Sequence, residues 1–372
     1  MSQDLRLHKI VLSNFRNYTE YEIDFQKQYI FIIGSNASGK SNLLEAIEYI
    51  SVGGEVSRES EKQILSKNST QDFFSIKAVY ELFGRQFQLE ANIGQKQKNI
   101  KVNGIKYRSI NQIEDSIKAI IFKSYESLEM IRGNPLSRRN WLNMTLSLIS
   151  KSYTEALKRY ERLIEQRNNL FKNTLENGEN LNKIEAELDI WEIEISKYGN
   201  FIQKTRQNFF NAINADFQHF YRQISDLSQE NTNLTYLPNP PSEAGILDEN
   251  AFYEKLKDRR KLDFYRGQTS VGPHRDDFLI SIDNQEARHF SSQGQQRTSA
   301  LSLKLIQLHK WQDKLEFSPI LLLDDVCAEL DLSRQKALFN SLPLRSQVFI
   351  TTTHLNSLPI VPNNSYQIIN LK

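Results

Sequence analysis

Gly34-Ser35-Asn36-Ala37-Ser38-Gly39-Lys40-Ser41 fits the spacing GxxxxGK[ST], and its flanks decide how it is read. Before it, Tyr29-Ile30-Phe31-Ile32-Ile33 is a short apolar run of strand type; after it, residues 42–50 (Asn-Leu-Leu-Glu-Ala-Ile-Glu-Tyr-Ile) carry apolar side chains at helical spacing. A glycine loop that leaves a strand and opens a helix points its backbone N–H groups at an anion, and Gly34 and Gly39 allow the anion to come close. Lys40 would neutralise the outer phosphates of a nucleotide, and the Ser41 hydroxyl would be a ligand for Mg2+. The sequence therefore predicts a nucleoside triphosphate as first ligand, in preference to a serine-rich turn before an ordinary helix.

Working outward, Ser318-Pro319-Ile320-Leu321-Leu322-Leu323-Asp324-Asp325 is an apolar strand that ends in two carboxylates. In a parallel sheet the carboxyl ends of the strands face the ligand crevice, which makes Asp324 the metal-side ligand. Asp325 is then placed to orient or deprotonate the attacking water. Ser291-Ser292-Gln293-Gly294-Gln295-Gln296-Arg297-Thr298 precedes a helical run, and small and amide residues at a helix start offer N–H groups and hydroxyls to an anion. Taken alone, that stretch reads rather as a polar helix start with Ser292 as N-cap; the other motifs tip it towards an anion site.

Along the rest of the chain, the patterning changes twice. Strands are predicted at 7–12, 21–25, 73–83 and 87–93, and Ile100-Lys101-Val102 meets Ile105-Lys106-Tyr107 across Asn103-Gly104, a strong hairpin signal. Apolar residues then recur at steps of three and four, first from Tyr153 to Leu175 with Arg167 as an interruption, then from Leu181 to Ile202, with a turn at Asn177-Gly178-Glu179-Asn180. The pair reads as a hairpin arm of about 33 Å, at about 1.5 Å per residue, or as two helices of a globular helical domain. Past the loop Leu237-Pro238-Asn239-Pro240-Pro241-Ser242, α/β patterning returns, with a helix from 250, a strand at 277–282, a helix from 297 and strands at 320–323 and 347–351. A head built from 1–122 and 243–372, split by an inserted arm over 123–242, explains this order.

Composition limits the alternatives. With 372 residues, 25% charged and 39% hydrophobic, the chain has the make-up of an ordered globular protein rather than a disordered one. The single cysteine, Cys327, excludes an internal disulfide and a cysteine metal cluster, and a cytosolic home follows as the simplest expectation. No apolar run reaches about 18 residues, so no membrane span is expected. A net charge of +2 gives no global pull on nucleic acid, so any such binding must be local. Lys96, Lys98, Lys101, Lys106 and Arg108 cluster around the Asn103-Gly104 hairpin in a stretch free of acids, which suits phosphate contact without base reading as well as it suits a solvated hairpin. Arg138-Arg139 and Arg259-Arg260-Lys261 are second candidates.

The order of these motifs, with Glu329-Leu330-Asp331 after the acidic strand and Thr353-His354 after the last, resembles the ABC-type ATPase heads of the SMC class. Within that class it is similar to the RecF family, on Asn14-Phe15-Arg16-Asn17-Tyr18, the glycine loop, Arg132-Gly133-Asn134-Pro135 with Arg138-Arg139, Gly272-Pro273-His274-Arg275-Asp276-Asp277, the serine-glutamine stretch and Asp324-Asp325. The resemblance implies an α/β P-loop head of ABC type, SMC-like, with a short inserted α-helical arm. It implies ATP and Mg2+ as cofactors and an ATP-dependent homodimer, with Ser292, Gln293, Gly294 and Gln295 of one copy closing on the phosphates held by Lys40 of the other. Asp331 and His354 would complete the nucleotide site, His354 as a γ-phosphate sensor, and slow hydrolysis would reset the dimer. Duplex DNA beside single-strand gaps is the implied substrate, with RecR and RecO as partners in loading RecA. Ala37 stands where the family commonly has glycine. A transporter's nucleotide-binding subunit is disfavoured by the inserted arm and the 272–277 motif, and an SMC-type tethering ATPase by the arm's length.

Overall fold

The structure, a computed structural model, describes residues 4–52, 61–66, 69, 71–94, 97–225, 229–242, 245–353 and 365–371. In chain order the first elements are β1 (Arg6–Phe15), β2 (Tyr18–Asp24), β3 (Tyr29–Ile33), α1 (Lys40–Val52), α2 (Glu61–Ile64), β4 (Phe73–Leu82), β5 (Arg85–Gly94), β6 (Gln97–Val102), β7 (Ile105–Tyr107) and β8 (Ala119–Lys123). Then come α3 (Ser124–Arg132), α4 (Pro135–Ile149), α5 (Lys151–Glu176), α6 (Glu185–Ser225), β9 (Thr232–Leu237), α7 (Glu249–Arg266), β10 (Asp277–Ile282), β11 (Gln285–Glu286) and α8 (Ala287–Phe290). The last are α9 (Gln293–Leu315), β12 (Ile320–Asp324), α10 (Leu332–Ser341), β13 (Val348–Thr352) and β14 (Tyr366–Asn370). Two compact units result: Met1–Ser127 with Gln223–Asp226 and Leu301–Lys372, and Leu128–Arg222 with Leu227–Ala300.

The first unit contains two sheets. An all-parallel sheet has the order β14-β3-β13-β12-β8, and an antiparallel sheet has the order β2-β1-β4-β5-β6-β7. Parallel strands covered on both faces need continuous apolar runs, and β3, β12 and β13 are buried at every position. One core joins Leu43, Leu44 and Ile47 of α1 to Ile30 and Leu322 of the parallel sheet and to Ile10 and Ile76 of the antiparallel one. Alternation sends Tyr29 and Phe31 to the opposite face of β3, where Phe339 of α10 lies 6.4 Å from the Tyr29 ring. Gln347, buried at the start of β13, ties the two sheets: its amide accepts from Leu7 N at 2.7 Å and donates to Leu7 O at 3.0 Å.

The second unit is built around α5, α6 and α7. The expected second helix of the arm, ending near 202, instead runs on to Ser225, and 41 residues span about 60 Å at 1.5 Å per residue. The buried seam continues through Phe210, Ile213, Phe217 and Tyr221, and no proline interrupts it. Gly199 lies inside that helix because the ring of Phe252 from α7 approaches to 2.8 Å of where a Cβ would stand. Arg167, which interrupts the apolar repeat of α5, is fully buried: it donates to Glu192 of α6 at 3.0 and 2.8 Å and to Asp263 of α7 at 2.9 Å. Arg260 of α7 pairs with the same Glu192 and with Asp189. Residues 243–300, which the sequence pattern places with the head, therefore cluster with the helices, since α7 supplies part of their core.

Candidate nucleotide site and nucleic-acid surface

In the parallel sheet, β3, β12, β13 and β8 end on the same side, and the glycine loop, Ser41 and Asp324 meet there. The loop 34–39 leaves β3 and α1 starts at Lys40. Lys40 is buried, and its Nζ donates to the carbonyls of Gly34 at 2.9 Å and Ser35 at 3.0 Å, so its charge lies inside the loop. Gly34 tolerates no Cβ, which would collide with the Ser38 side chain and come to 2.9 Å of Leu371 O. Gly39 has φ +102°, and a Cβ there would meet Asn17 Nδ2 at 2.6 Å and Tyr18 Oη at 2.8 Å. Ala37 takes φ +68°, a left-handed conformation that explains why glycine suits this position.

Ser41 Oγ donates to Asp324 Oδ1 at 3.0 Å, which brings the loop and the acidic strand together. Thr351 of β13 donates to the same oxygen at 2.9 Å and accepts from Asp325 N at 2.9 Å, so one threonine holds both acids. Burial pushes the Asp324 carboxyl above its usual range, opposed by the hydrogen bonds from Thr351 and Ser41; Asp325 adds to the rise and Lys123 counters it. Asp325 has φ +54°, a turn that an aspartate tolerates better than most residues. A hydroxyl and a carboxylate oxygen side by side fit Mg2+, which takes oxygen ligands and commonly keeps several waters beside one or two protein groups. Ser41 and Asp324 are the residues that would hold it.

Several residues support the loop, among them members of the 14–18 stretch, whose contacts appear only once the chain is folded. The turn between β1 and β2 presses on the loop: Tyr18 Oη donates to Gly39 O at 3.0 Å, and Asn17 Oδ1 accepts from Asn42 Nδ2 at 2.8 Å. Arg16 makes a two-pronged pair with Glu45 of α1 at 2.9 and 2.5 Å. Lys123, at the end of β8, pairs with Glu48 of α1 at 3.1 Å.

The serine-glutamine stretch belongs to the second unit. Ser292 Oγ accepts from Gln295 N at 3.2 Å and Gln295 Oε1 accepts from Ser292 N at 2.7 Å, a reciprocal capping box at the start of α9. Gln295 Nε2 also donates to Glu230 at 2.7 Å, so its side chain braces the turn, while Ser292 and Gln293 are exposed and Gly294 is half-buried. Asp331 caps α10 by accepting from Arg334 N at 2.9 Å. His354 and Lys96 lie outside the described residues.

The 272–277 motif forms the polar centre of the second unit. Asp276 accepts from Arg206 at 2.7 Å, Gln203 at 2.9 Å, Asn239 N at 2.8 Å and the Tyr236 hydroxyl. Asp277 receives Arg138 on both oxygens at 2.5 and 2.9 Å and Arg288 at 3.4 Å. His274 Nε2 donates to Thr269 O at 2.9 Å, which leaves Nδ1 to accept from the Tyr160 hydroxyl at 2.7 Å. Burial lowers His274 to about 4. Gly272, at φ +124°, has no room for a Cβ beside Tyr160.

Of the candidate nucleic-acid residues, Arg138 is 1% exposed and Arg260 is buried in ion pairs, so neither is a surface contact. In the hairpin, Asn103 and Gly104 have φ +48° and +83°, as the Asn-Gly signal requires. Lys101 lies opposite Lys106 and, on its other side, Glu90; Lys98 is an odd number of residues from Lys101 and belongs to the other face. Arg108 follows β7 and is exposed. The basic cluster thus divides between two sheet faces.

Comparison with known proteins accords with this geometry. Residues 6–369 match the family described as RecF/RecN/SMC N terminal domain. A DNA replication and repair protein RecF of Clostridium acetobutylicum is 31% identical over 365 residues, covering 98% of this chain and 97% of its own. This chain belongs to the RecF family. Another RecF, from Bacillus cereus, is 32% identical over 355 residues, 95% of this chain and 93% of its own. Among solved structures, the recombination mediator protein RecF of the RecFOR pathway, with ATP, is similar at a TM-score of 0.84 and 32% identity, covering 96% of this chain and 94% of that one. An Smc head domain from Pyrococcus furiosus, at TM-score 0.50 and 16% identity, shares the fold alone. The RecF-family fold is thus an ABC-type head with a helical insertion, as the motif order predicts. No helix among the described residues is long and apolar enough to cross a membrane.

Proposed function

We propose that this chain is an ATP-dependent DNA-binding protein of recombinational repair and replication, in which ATP works as a switch. The observation that carries this reading is the joined site of the first unit: a glycine loop whose Ser41 lies 3.0 Å from Asp324 at the carboxyl edge of a parallel sheet. The relatives named as DNA replication and repair proteins, and the similar recombination mediator solved with ATP, support the biological setting.

The loop N–H groups and Lys40 bind the β- and γ-phosphates, and Ser41 and Asp324 would hold Mg2+, which would offset phosphate charge. Asp325 orients the attacking water, and slow hydrolysis resets the dimer. The exposed start of α9 at Ser292 to Gly294 closes, in a second copy, on the terminal phosphate. A helix N-terminus offered in this way gains affinity only while that phosphate is present, which gives ATP a differential affinity for the dimer. The dimer clamps duplex DNA near single-strand gaps, acts with RecR and RecO to load RecA, and releases on hydrolysis. Asp331 and His354 complete the nucleotide site, and the domain division is an ATPase head carrying a helical arm.

Sedimentation with and without a slowly hydrolysed ATP analogue, on the natural chain and on Lys40→Ala, tests this. Nucleotide-dependent dimerisation of the natural chain only is expected. A monomer at all nucleotide concentrations would contradict the switch, and unchanged ATP binding by Lys40→Ala would contradict the site.

A further inference from the structure

The 272–277 turn leaves two arginines beside it, its own Arg275 and Arg139 of α4, without a carboxylate. Asp277 is taken by Arg138 and Arg288, and Asp276 by Arg206, Gln203, Tyr236 and Asn239 N. What remains for Arg139 is one main-chain oxygen, Asp276 O at 2.9 Å. Arg275 reaches only Thr269 O at 3.3 and 3.4 Å and Gln268 at 3.5 Å, and these lengths make weak bonds. Among the described residues neither guanidinium has an ion-pair partner. Both flank the same short turn, one half-buried and one exposed. Burial lowers the proton affinity of Arg139; Asp277 and Asp276 oppose that fall, and Arg206 and Arg275 add to it.

The turn itself is rigid. Asp276 is held from four directions and His274 from two, and a Cβ at Gly272 would collide with the Tyr160 hydroxyl. Two planar, multiply donating cations on a fixed support match a tetrahedral anion in geometry as well as charge. We infer that Arg139 and Arg275 form a binding site for phosphates of a nucleic-acid backbone, separate in the chain from the basic β6–β7 hairpin. The site rests on the proposed DNA-binding role and assigns part of it to the 272–277 turn. It is independent of base sequence, since phosphate contacts position without reading.

Binding of a labelled duplex of about 20 base pairs, followed by fluorescence anisotropy between roughly 50 and 200 mM salt with a slowly hydrolysed ATP analogue, tests it. Each phosphate contact contributes about 0.9 to the slope of log affinity against log salt, so Arg139→Gln/Arg275→Gln is expected to flatten the slope by about two. Nucleotide-dependent self-association and thermal midpoint should stay as in the natural chain. Because Arg139 touches the turn, Arg275→Glu alone is the second variant: this exposed side chain makes only long contacts, and charge reversal should weaken duplex binding more than Arg275→Gln. An unchanged slope in both variants overturns the site while leaving the proposed function standing. Absence of duplex binding by the natural chain with nucleotide would overturn both.

Discussion

At the residue scale, the nucleotide loop separates positions that must be small from one that only benefits from being so. Gly39→Ala drives a methyl group into Asn17 and Tyr18 and strains a φ of +102°, so loss of ATP binding is expected in a nucleotide-affinity measurement. Ala37→Gly should leave ATP affinity within about twofold and stability within roughly 0.5 kcal/mol, because relief of left-handed strain is offset by the greater freedom of an unfolded glycine. Asp325→Asn keeps the backbone contact to Thr351 and is expected to preserve ATP binding while lengthening dimer lifetime, measurable by chasing the dimer with excess unlabelled chain. The loop and the paired acids are legible in the sequence because each is contiguous. Thr351 and Glu45 are not, and Arg16 is visible only as part of the 14–18 stretch without a role, since each gains its meaning from a partner brought close by folding.

At the element scale, the helical pair shows where periodicity stops informing. The seam of α5 and α6 is visible as apolar steps, but Arg167 reads as a break although it is the buried tie to Glu192 and Asp263. Likewise the 272–277 motif is conspicuous in the chain, yet its partners come from α4, α5, α6 and β9. One consequence is a pH dependence. His274 is neutral in the folded chain down to about 4, whereas the unfolded residue takes a proton near 6.5, so between these values the unfolded state binds more protons. This contribution to stability is present above about 6.5 and is lost as pH falls towards 4, by about 1–2 kcal/mol at pH 5. Urea midpoints at pH 7 and pH 5 check it: His274→Gln should show a smaller drop than the natural chain.

For the whole molecule, a net charge of +2 means that DNA must be held by patches rather than by a general field. Lys101→Gln/Lys106→Gln is expected to weaken duplex binding and to flatten its salt slope, whereas Lys98→Gln, on the other face, should change it less. Sequence counting groups these lysines together; only strand register separates them. That register also fixes a distance. The Arg16 to Tyr18 turn grips Gly39 at one edge of the antiparallel sheet, and β7 with Lys106 forms the other, five strand spacings or about 24 Å away. Between these rims Leu89, Ile93, Ile100 and Val102 share one close-packed core with Leu43 and Ile47 of α1, so strain at the glycine loop is passed to the basic rim through packed side chains.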